Sequence, residues 1–230
     1  MIINYELSLT FNGIIYKLLN VILNCTRERS NPMHGYYGSV DAGWVELITG
    51  VMFSGKSSEL IRRVERAMIA EQEVMVFKPS IDNRYSDTEV ATHNGITVEA
   101  QIVDDIEGIK RKIREYEAGR LDVIAVDEGQ FFDAELVELV DDLADQGYRV
   151  IVAGLDTDFA GRGFAPIPEL MARAEYSTKL HAVCVKCANP ATRNQRLING
   201  EPASIDDPVV VVGADETYQA RCRNCHEVKK

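Results

Sequence analysis

The chain has 230 residues, of which 46% are hydrophobic, and its formal net charge is −11 at pH 7. This length and apolar content allow one substantial domain and a smaller second one. A broadly negative surface repels phosphate backbones and anionic lipid headgroups, so the charge argues against a protein that binds nucleic acid or a membrane.

Residues 1–43 are expected to form an N-terminal extension without a functional role. The apolar run Ile14–Leu23 is shorter than the roughly 20 residues that a membrane-spanning helix requires. The segment also lacks the basic start and the small-residue cleavage site of a secretory signal. We therefore expect a cytoplasmic protein whose natural start is Met33.

A phosphate-binding loop is the most informative motif of the sequence. Residues 50–57 match the pattern G-x-x-x-x-G-K-[ST], between a strand-like run at 44–49 and a helical apolar pattern at 58–68. In such a loop the backbone N–H groups surround the phosphates, the lysine reaches the β- and γ-phosphate oxygens, and the hydroxyl binds Mg²⁺. The alternative is a glycine-rich turn that carries a lysine by chance. The pattern assigns nucleotide binding to Gly50, Val51, Met52, Phe53, Ser54, Gly55, Lys56 and Ser57.

The middle of the chain alternates between strand-like and helix-like patterns. Such alternation predicts βαβ units and a mostly parallel sheet, here an α/β fold with a RecA-like P-loop domain over residues 44–180. A polar stretch at 80–97 predicts an excursion or a hairpin. Strands are predicted at 73–78, 97–103, 121–126 and 149–154, and helices at 105–117 and 133–146.

The predicted strand at 121–126 is a near-continuous apolar run, which is typical of a strand buried on both faces. We expect it to lie beside the phosphate-loop strand, with Asp127 at the Walker-B position that holds Mg²⁺. Glu128 would then face an acceptor substrate. The residues alone leave two alternatives open, since Glu128 could cap the following helix or activate water in an ATPase. The residues assigned to the nucleotide site here are Asp127, Glu128, Gly129 and Gln130.

Four of the five cysteines form two C-x-x-C pairs near the C-terminus. Four thiolates at this spacing suit a structural Zn²⁺ ion, which prefers tetrahedral coordination. The alternatives are two disulfides, which are rare in a reducing compartment, or a redox pair. Residues 181–230 are therefore predicted to form a small zinc-ribbon domain with the metal ligands Cys184, Cys187, Cys222 and Cys225.

These motifs together resemble type II thymidine kinases, the cytosolic, zinc-containing family. The resemblance runs from about Trp44 to the C-terminus. It implies phosphoryl transfer from ATP to the 5′-hydroxyl of thymidine, giving dTMP and ADP for the salvage of DNA precursors. Two alternatives remain, namely another deoxynucleoside kinase and a RecA-like ATPase with a zinc ribbon. Besides the phosphate loop and the cysteine pairs, the shared motifs are Lys78-Pro79, Asp82–Tyr85, Asp127–Phe132, Gly154–Asp156 and Phe159.

The resemblance also implies roles for single residues in the transfer step. Glu128 matches the general base of the family. Lys56 would neutralise charge on the phosphate oxygens, together with Mg²⁺ held by Ser57 and Asp127. Arg84 matches an arginine near the transferred phosphoryl group.

For the nucleoside, the resemblance implies a lasso loop that closes over the thymine base between the two cysteine pairs. Asn194 stands where the family usually has a threonine, which weakens the inference of a base contact there. The resemblance further implies a homotetramer or a dimer, and feedback inhibition by dTTP. The substrate contacts that it implies are Met52, Phe131, Leu155, Phe159, Val209, Val210, Val211, Val212, Gly213 and Tyr218.

Overall fold

A six-stranded parallel sheet forms the centre of the described chain. The structure, a computed structural model, describes residues 43–81, 89–91, 97–117, 119, 121–209 and 216–230. Its strands are β1 (Trp44–Gly50), β2 (Val74–Pro79), β3 (Glu89–Ala91), β4 (Thr97–Glu99), β5 (Gln101–Val103), β6 (Val123–Val126), β7 (Arg149–Leu155), β8 (Tyr176–Leu180), β9 (Ala182–Val183), β10 (Pro190–Ala191), β11 (Arg193–Ile198), β12 (Glu201–Pro202) and β13 (Glu216–Arg221). The central sheet has the order β5-β2-β6-β7-β1-β8, and all its neighbouring strands run parallel.

Helices cover both faces of this sheet. Side chains of a strand point alternately to its two faces, so Val123 and Ala125 of β6 join one apolar cluster while Ile124 and Val126 join the other. The first cluster contains the apolar face of α1, and the second contains that of the later helices. Both faces of the central strands are therefore buried. The helices of the described residues are α1 (Lys56–Ile69), α2 (Ile106–Arg114), α3 (Glu135–Asp145) and α4 (Ile167–Arg173).

The predicted parallel α/β architecture is confirmed. The four strand-like runs at 44–49, 73–78, 121–126 and 149–154 correspond to β1, β2, β6 and β7, and the three helical patterns correspond to α1, α2 and α3. The helix α2 begins after Asp105, whose carboxylate accepts the Gly108 N–H as an N-cap (2.8 Å). The edge strand β8 and the short helix α4 were not predicted.

The prediction of one strand over 97–103 is wrong. The chain changes its pairing partner at Ala100, which is buried in the same apolar cluster as the α1 face. Before this residue β4 pairs antiparallel with β3, and after it β5 joins the central sheet beside β2. The β3–β4 pair confirms the hairpin predicted in the polar stretch, although residues 82–88 and 92–96 lie outside the described residues.

The C-terminal part forms two small antiparallel sheets. One contains β9 and β10, and the other has the order β12-β11-β13. We call β9, β10, β11, β13 and the four cysteines beside them the ribbon. Residues Ala42 to Lys230 form one compact unit. The predicted division at residue 180 and the predicted lack of function of residues 1–43 stay predictions. Among the described residues, no helix combines the length and the apolar character needed to cross a membrane.

Candidate active site and cysteine cluster

The phosphate loop follows β1 at the carboxyl edge of the sheet. A Cβ atom on Gly50 would lie 2.3 Å from the Leu180 carbonyl oxygen, so only glycine lets the loop leave the sheet this close to β8. Gly55 adopts a left-handed conformation (φ 88°) immediately before α1. Lys56 is buried, and its Nζ donates to the Val51 carbonyl oxygen at 3.1 Å. The loop thus has the strand–turn–helix setting that phosphate binding requires.

Asp127 and Glu128 follow β6 at the same edge. Asp127 is buried, accepts a hydrogen bond from the Glu128 N–H (2.9 Å), and lies near the Ser57 side chain. Burial, followed by the charge of Glu128, raises the pKa of Asp127 to about 7. A carboxylate and a hydroxyl are oxygen ligands of the kind that Mg²⁺ prefers, so Asp127 and Ser57 fit the predicted metal position.

The strand that carries Asp127 is not the neighbour of the phosphate-loop strand, and the prediction that the two lie side by side is wrong. β7 lies between them and bonds to both β6 and β1. The Thr49 hydroxyl donates to the Gly154 carbonyl oxygen (3.1 Å), which ties the end of β1 to the end of β7. Asp127 and the phosphate loop therefore follow strands that are separated by one intervening strand.

Gln130 holds the side chain of Glu128. Its Nε2 donates to Glu128 Oε2, and its Oε1 accepts the Leu155 N–H at 2.9 Å. Gln130 is buried, whereas Glu128 is half-buried and has a left-handed backbone (φ 51°). Gly154 leaves room for the amide, because a Cβ atom there would lie 3.1 Å from Gln130 Oε1 and 2.5 Å from Ile167 Cδ1.

The residues predicted to contact the nucleoside are only partly within the described chain. Met52, Leu155, Phe131, Val209 and Tyr218 are half-buried, and Phe159 is buried. The Phe131 ring packs edge-to-face against Phe164, with centroids 6.4 Å apart. The predicted residues Arg84, Val210, Val211, Val212 and Gly213 lie outside the described residues.

A buried arginine links Phe159 to the predicted lasso. Arg196 is 2% exposed, and its guanidinium lies 5.1 Å from the centroid of the Phe159 ring. Its Nη1 donates to the Pro208 carbonyl oxygen. The backbone of Phe159 is bonded as well, because His226 Nε2 donates to its carbonyl oxygen at 2.8 Å. Sequence reasoning missed Arg196, although it lies only two residues beyond Asn194.

The four C-terminal cysteines converge. The Sγ atoms of Cys184, Cys187, Cys222 and Cys225 all lie within 4.8 Å of one another. Burial raises the pKa of the Cys184 thiol, but N–H donors in the backbone of Cys222, Lys186 and Cys187 outweigh it and lower the pKa to about 6. A cluster of four sulfur atoms this close together is compatible with a structural Zn²⁺ ion.

The ribbon also contacts the phosphate loop. Val51 is 1% exposed and packs in one apolar cluster with Cys184, Cys222 and three alanines of the ribbon. Asn194 is 2% exposed, its Oδ1 accepts the Met52 N–H (2.8 Å), and its Nδ2 donates to the Thr157 carbonyl oxygen (2.8 Å). Both ends of the Asn194 amide are thus bonded within the protein. Its sequence signal is its spacing from Cys187, from which the family resemblance predicts a contact with the base and not with the phosphate loop.

Residues 43–226 match the family model described as thymidine kinase. The match spans most of the chain and includes the phosphate loop, the Asp127–Gln130 segment and both cysteine pairs. The chain belongs to the thymidine kinase family and is an ATP-dependent kinase that phosphorylates thymidine.

Proposed function

We propose that this kinase transfers the γ-phosphoryl group of ATP to the 5′-hydroxyl of thymidine with Glu128 as the general base. The observation that supports this role most strongly is the contrast between the two adjacent carboxylates. Asp127 is buried near Ser57, whereas Glu128 is half-buried and held by Gln130. One carboxylate is thereby available to the metal and the other to the acceptor alcohol.

A carboxylate is a weak base toward an alcohol in the ground state. In a loose phosphoryl-transfer transition state, however, the alcohol proton is lost late, when the oxygen has become acidic. Glu128 would orient the 5′-hydroxyl toward the γ-phosphorus and accept its proton as the new P–O bond forms. A carboxylate fixed by a neighbouring amide suits this task, because its orientation is already set before the alcohol arrives.

For the donor, the backbone N–H groups of the phosphate loop would bind the phosphates, and Lys56 would neutralise charge on the β- and γ-oxygens. Lys56 now bonds to the Val51 carbonyl oxygen, so its ammonium already points back over the loop. Mg²⁺, held by Ser57 and Asp127, would supply further positive charge to the same oxygens. Arg84 is proposed to approach the transferred group, on the family resemblance alone.

For the acceptor, we propose a pocket at the carboxyl edge of the sheet, covered by the lasso between the cysteine pairs. Met52 lies in the loop that follows β1, and Leu155 is the last residue of β7, so both lie next to the donor site. A structural Zn²⁺ at the four cysteines would fix the two ends of the lasso, which reduces the entropy that its closure costs. The remaining proposed contacts are Phe131, Phe159, Val209, Val210, Val211, Val212, Gly213 and Tyr218.

The resemblance extends the proposal to assembly and regulation. We propose a cytoplasmic homo-oligomer, a tetramer or a dimer, that dTTP inhibits by occupying the acceptor site. Light scattering of the purified protein would report the assembly, and dTTP competition against thymidine would report the inhibition.

The function itself is tested by product analysis. The protein is incubated with γ-labelled ATP and either thymidine, deoxyuridine, a purine deoxynucleoside or no nucleoside, and the products are separated by chromatography. We expect label in dTMP and little free phosphate. Preferential labelling of another nucleotide would assign a different deoxynucleoside kinase. Release of phosphate alone, without any labelled nucleotide, would indicate an ATPase and reject the proposal.

A further inference from the structure

We propose that the ribbon positions the phosphate loop as well as the lasso, and that Asn194 is the residue through which it does so. The proposal rests on the proposed function in one respect, since it takes the loop at residues 50–57 as the ATP donor site. It adds to that function a coupling between metal binding at the cysteines and affinity for the nucleoside triphosphate.

The first observation is the bonding of Asn194. Its side chain joins two segments that follow different strands of the central sheet, the phosphate loop after β1 and the turn after β7. The Met52 N–H that it binds belongs to the loop whose amides form the phosphate cradle. Because Asn194 is 2% exposed, water does not replace these bonds when the side chain is shortened.

The second observation is independent and concerns apolar packing. Val51 precedes Met52, and its side chain lies in the cluster that contains Cys184 and Cys222. Its carbonyl oxygen accepts the hydrogen bond from Lys56. One residue of the loop thus packs with its side chain in the apolar cluster of the cysteines, and accepts a hydrogen bond from the phosphate-binding lysine with its backbone.

The ribbon supplies a short path between these contacts. Asn194 pairs with Ala220 across β11 and β13, and Ala220 packs in the same cluster as Val51 two residues before Cys222. A metal ion that fixes Cys222 would therefore also fix the strand from which Asn194 reaches the loop. Linkage is reciprocal, so nucleotide binding at the loop must in turn strengthen metal retention.

Asn194→Ala tests the positioning role, with Gln195→Ala as a matched control. Gln195 is the next residue of β11, is equally buried, and uses its amide to bond the Glu227 backbone within the C-terminal part. Each substitution removes one buried amide from the same strand, but only Asn194 contacts the phosphate loop.

Affinity for a non-hydrolysable ATP analogue is measured by calorimetry on the zinc-loaded proteins. We expect Asn194→Ala to weaken binding about tenfold, because the loop amide loses its buried partner. Gln195→Ala should bind the analogue with wild-type affinity, even if its unfolding midpoint falls as far as that of Asn194→Ala. In steady-state assays, Asn194→Ala should raise KM for ATP far more than KM for thymidine.

The coupling is measured by the rate at which a chromogenic chelator removes zinc from the folded protein, with and without saturating ADP. In the wild type and in Gln195→Ala, ADP should slow the removal several-fold. In Asn194→Ala this protection should shrink or vanish. The readout is independent of catalysis, so it remains informative for proteins that do not turn over.

Equal nucleotide affinity in Asn194→Ala and wild type would overturn the proposal. An equal loss of nucleotide affinity in Asn194→Ala and Gln195→Ala would also overturn it, because the role of Asn194 would then be structural only. A rate of zinc removal from the wild type that ADP does not change would also overturn the proposal. Normal coupling in a protein that labels no nucleoside would leave this inference standing and count against the proposed function alone.

Discussion

Gln130 and Glu128 form a hydrogen-bonded pair in which the amide, itself anchored to the Leu155 N–H, fixes the direction of the carboxylate. The pair bridges the ends of β6 and β7, so the proposed base is held by the neighbouring strand as well as by its own backbone. The arrangement makes the position of the carboxylate depend on an uncharged residue that needs no contact with substrate.

Replacing Gln130 by methionine keeps the volume of the side chain but removes both hydrogen bonds. Misplacing a reacting group by a fraction of an ångström is expected to lower kcat about ten- to a hundredfold. KM for ATP should change little, because the phosphate loop keeps its own contacts. Steady-state kinetics would measure both values. The control is Gln146→Met at an exposed helix end, and equal kinetics for the two variants would contradict the positioning role.

The charge of Glu128 is tested by Glu128→Gln, which preserves the shape of the side chain. We expect kcat to fall by at least about a hundredfold, because general-base catalysis is lost. Binding of a non-hydrolysable ATP analogue should be retained, since the donor contacts lie elsewhere. Turnover near the wild-type rate would remove Glu128 from the chemistry. The exposed Glu135 at the start of α3 provides a matched control in Glu135→Gln.

The space beside Gly154 is predicted to be essential for both stability and rate. In Gly154→Ala the added methyl group meets Ile167 at 2.5 Å, and we expect a loss of about 1–3 kcal/mol in the free energy of unfolding. It also crowds Gln130 Oε1, so kcat should fall. Urea denaturation followed by the fluorescence of Trp44, the single tryptophan of the chain, gives the stability.

Gly200→Ala is the control for that experiment. Gly200 has a positive φ of 82° but open space around it, so alanine meets backbone strain alone, about 1 kcal/mol. It should leave kcat unchanged. If both variants lost stability and neither lost activity, the steric link between Gly154 and Gln130 would be wrong.

Acid should lower the free energy of unfolding by protonating Glu46, a buried ion-pair residue on β1. Burial raises the pKa of Glu46, but hydrogen bonds and positive charge from Arg149, with Trp44 and Arg63, outweigh it and lower the pKa below its usual 4.5. Because the folded-state pKa is the lower one, this stabilisation is complete above the unfolded-state pKa and is lost as pH falls through the folded-state pKa. Urea midpoints between pH 7 and pH 3 should therefore fall more steeply in the wild type than in Glu46→Gln.

At pH 7, Glu46→Gln leaves Arg149 buried beside a neutral group, and we expect a loss of about 3 kcal/mol. Glu107→Gln serves as the comparison, because the Glu107–Lys110 pair is largely exposed and screened by solvent. That variant should match the wild type within experimental error. Equal effects of the two substitutions would contradict the assignment of acid sensitivity to Glu46.

The sequence predicts the features that depend on short segments. The phosphate loop, the Asp127–Gln130 segment and the cysteine pairs are local patterns, and each one has the expected strand or turn beside it. The run at 121–126 likewise identifies a strand buried on both faces, because its last four residues, Val123–Val126, are all apolar.

What the sequence does not predict depends on contacts between distant segments. The sequence of a single strand does not specify which strands lie beside it, so the position of β7 between β6 and β1 could not be predicted. Asn194 and Met52 are 142 residues apart, and their hydrogen bond follows only from the fold. The strand β8 has an exposed, mixed sequence because it lies at the edge, and it therefore lacks the apolar signature of its neighbours.

A crystal structure with thymidine, Mg²⁺ and a non-hydrolysable ATP analogue tests the central claim most directly. The account predicts a carboxylate oxygen of Glu128 within about 3.2 Å of the 5′-hydroxyl, and that hydroxyl in line with the γ-phosphorus. A Glu128 carboxylate turned away from the sugar, with another group bonded to the 5′-hydroxyl, would contradict it.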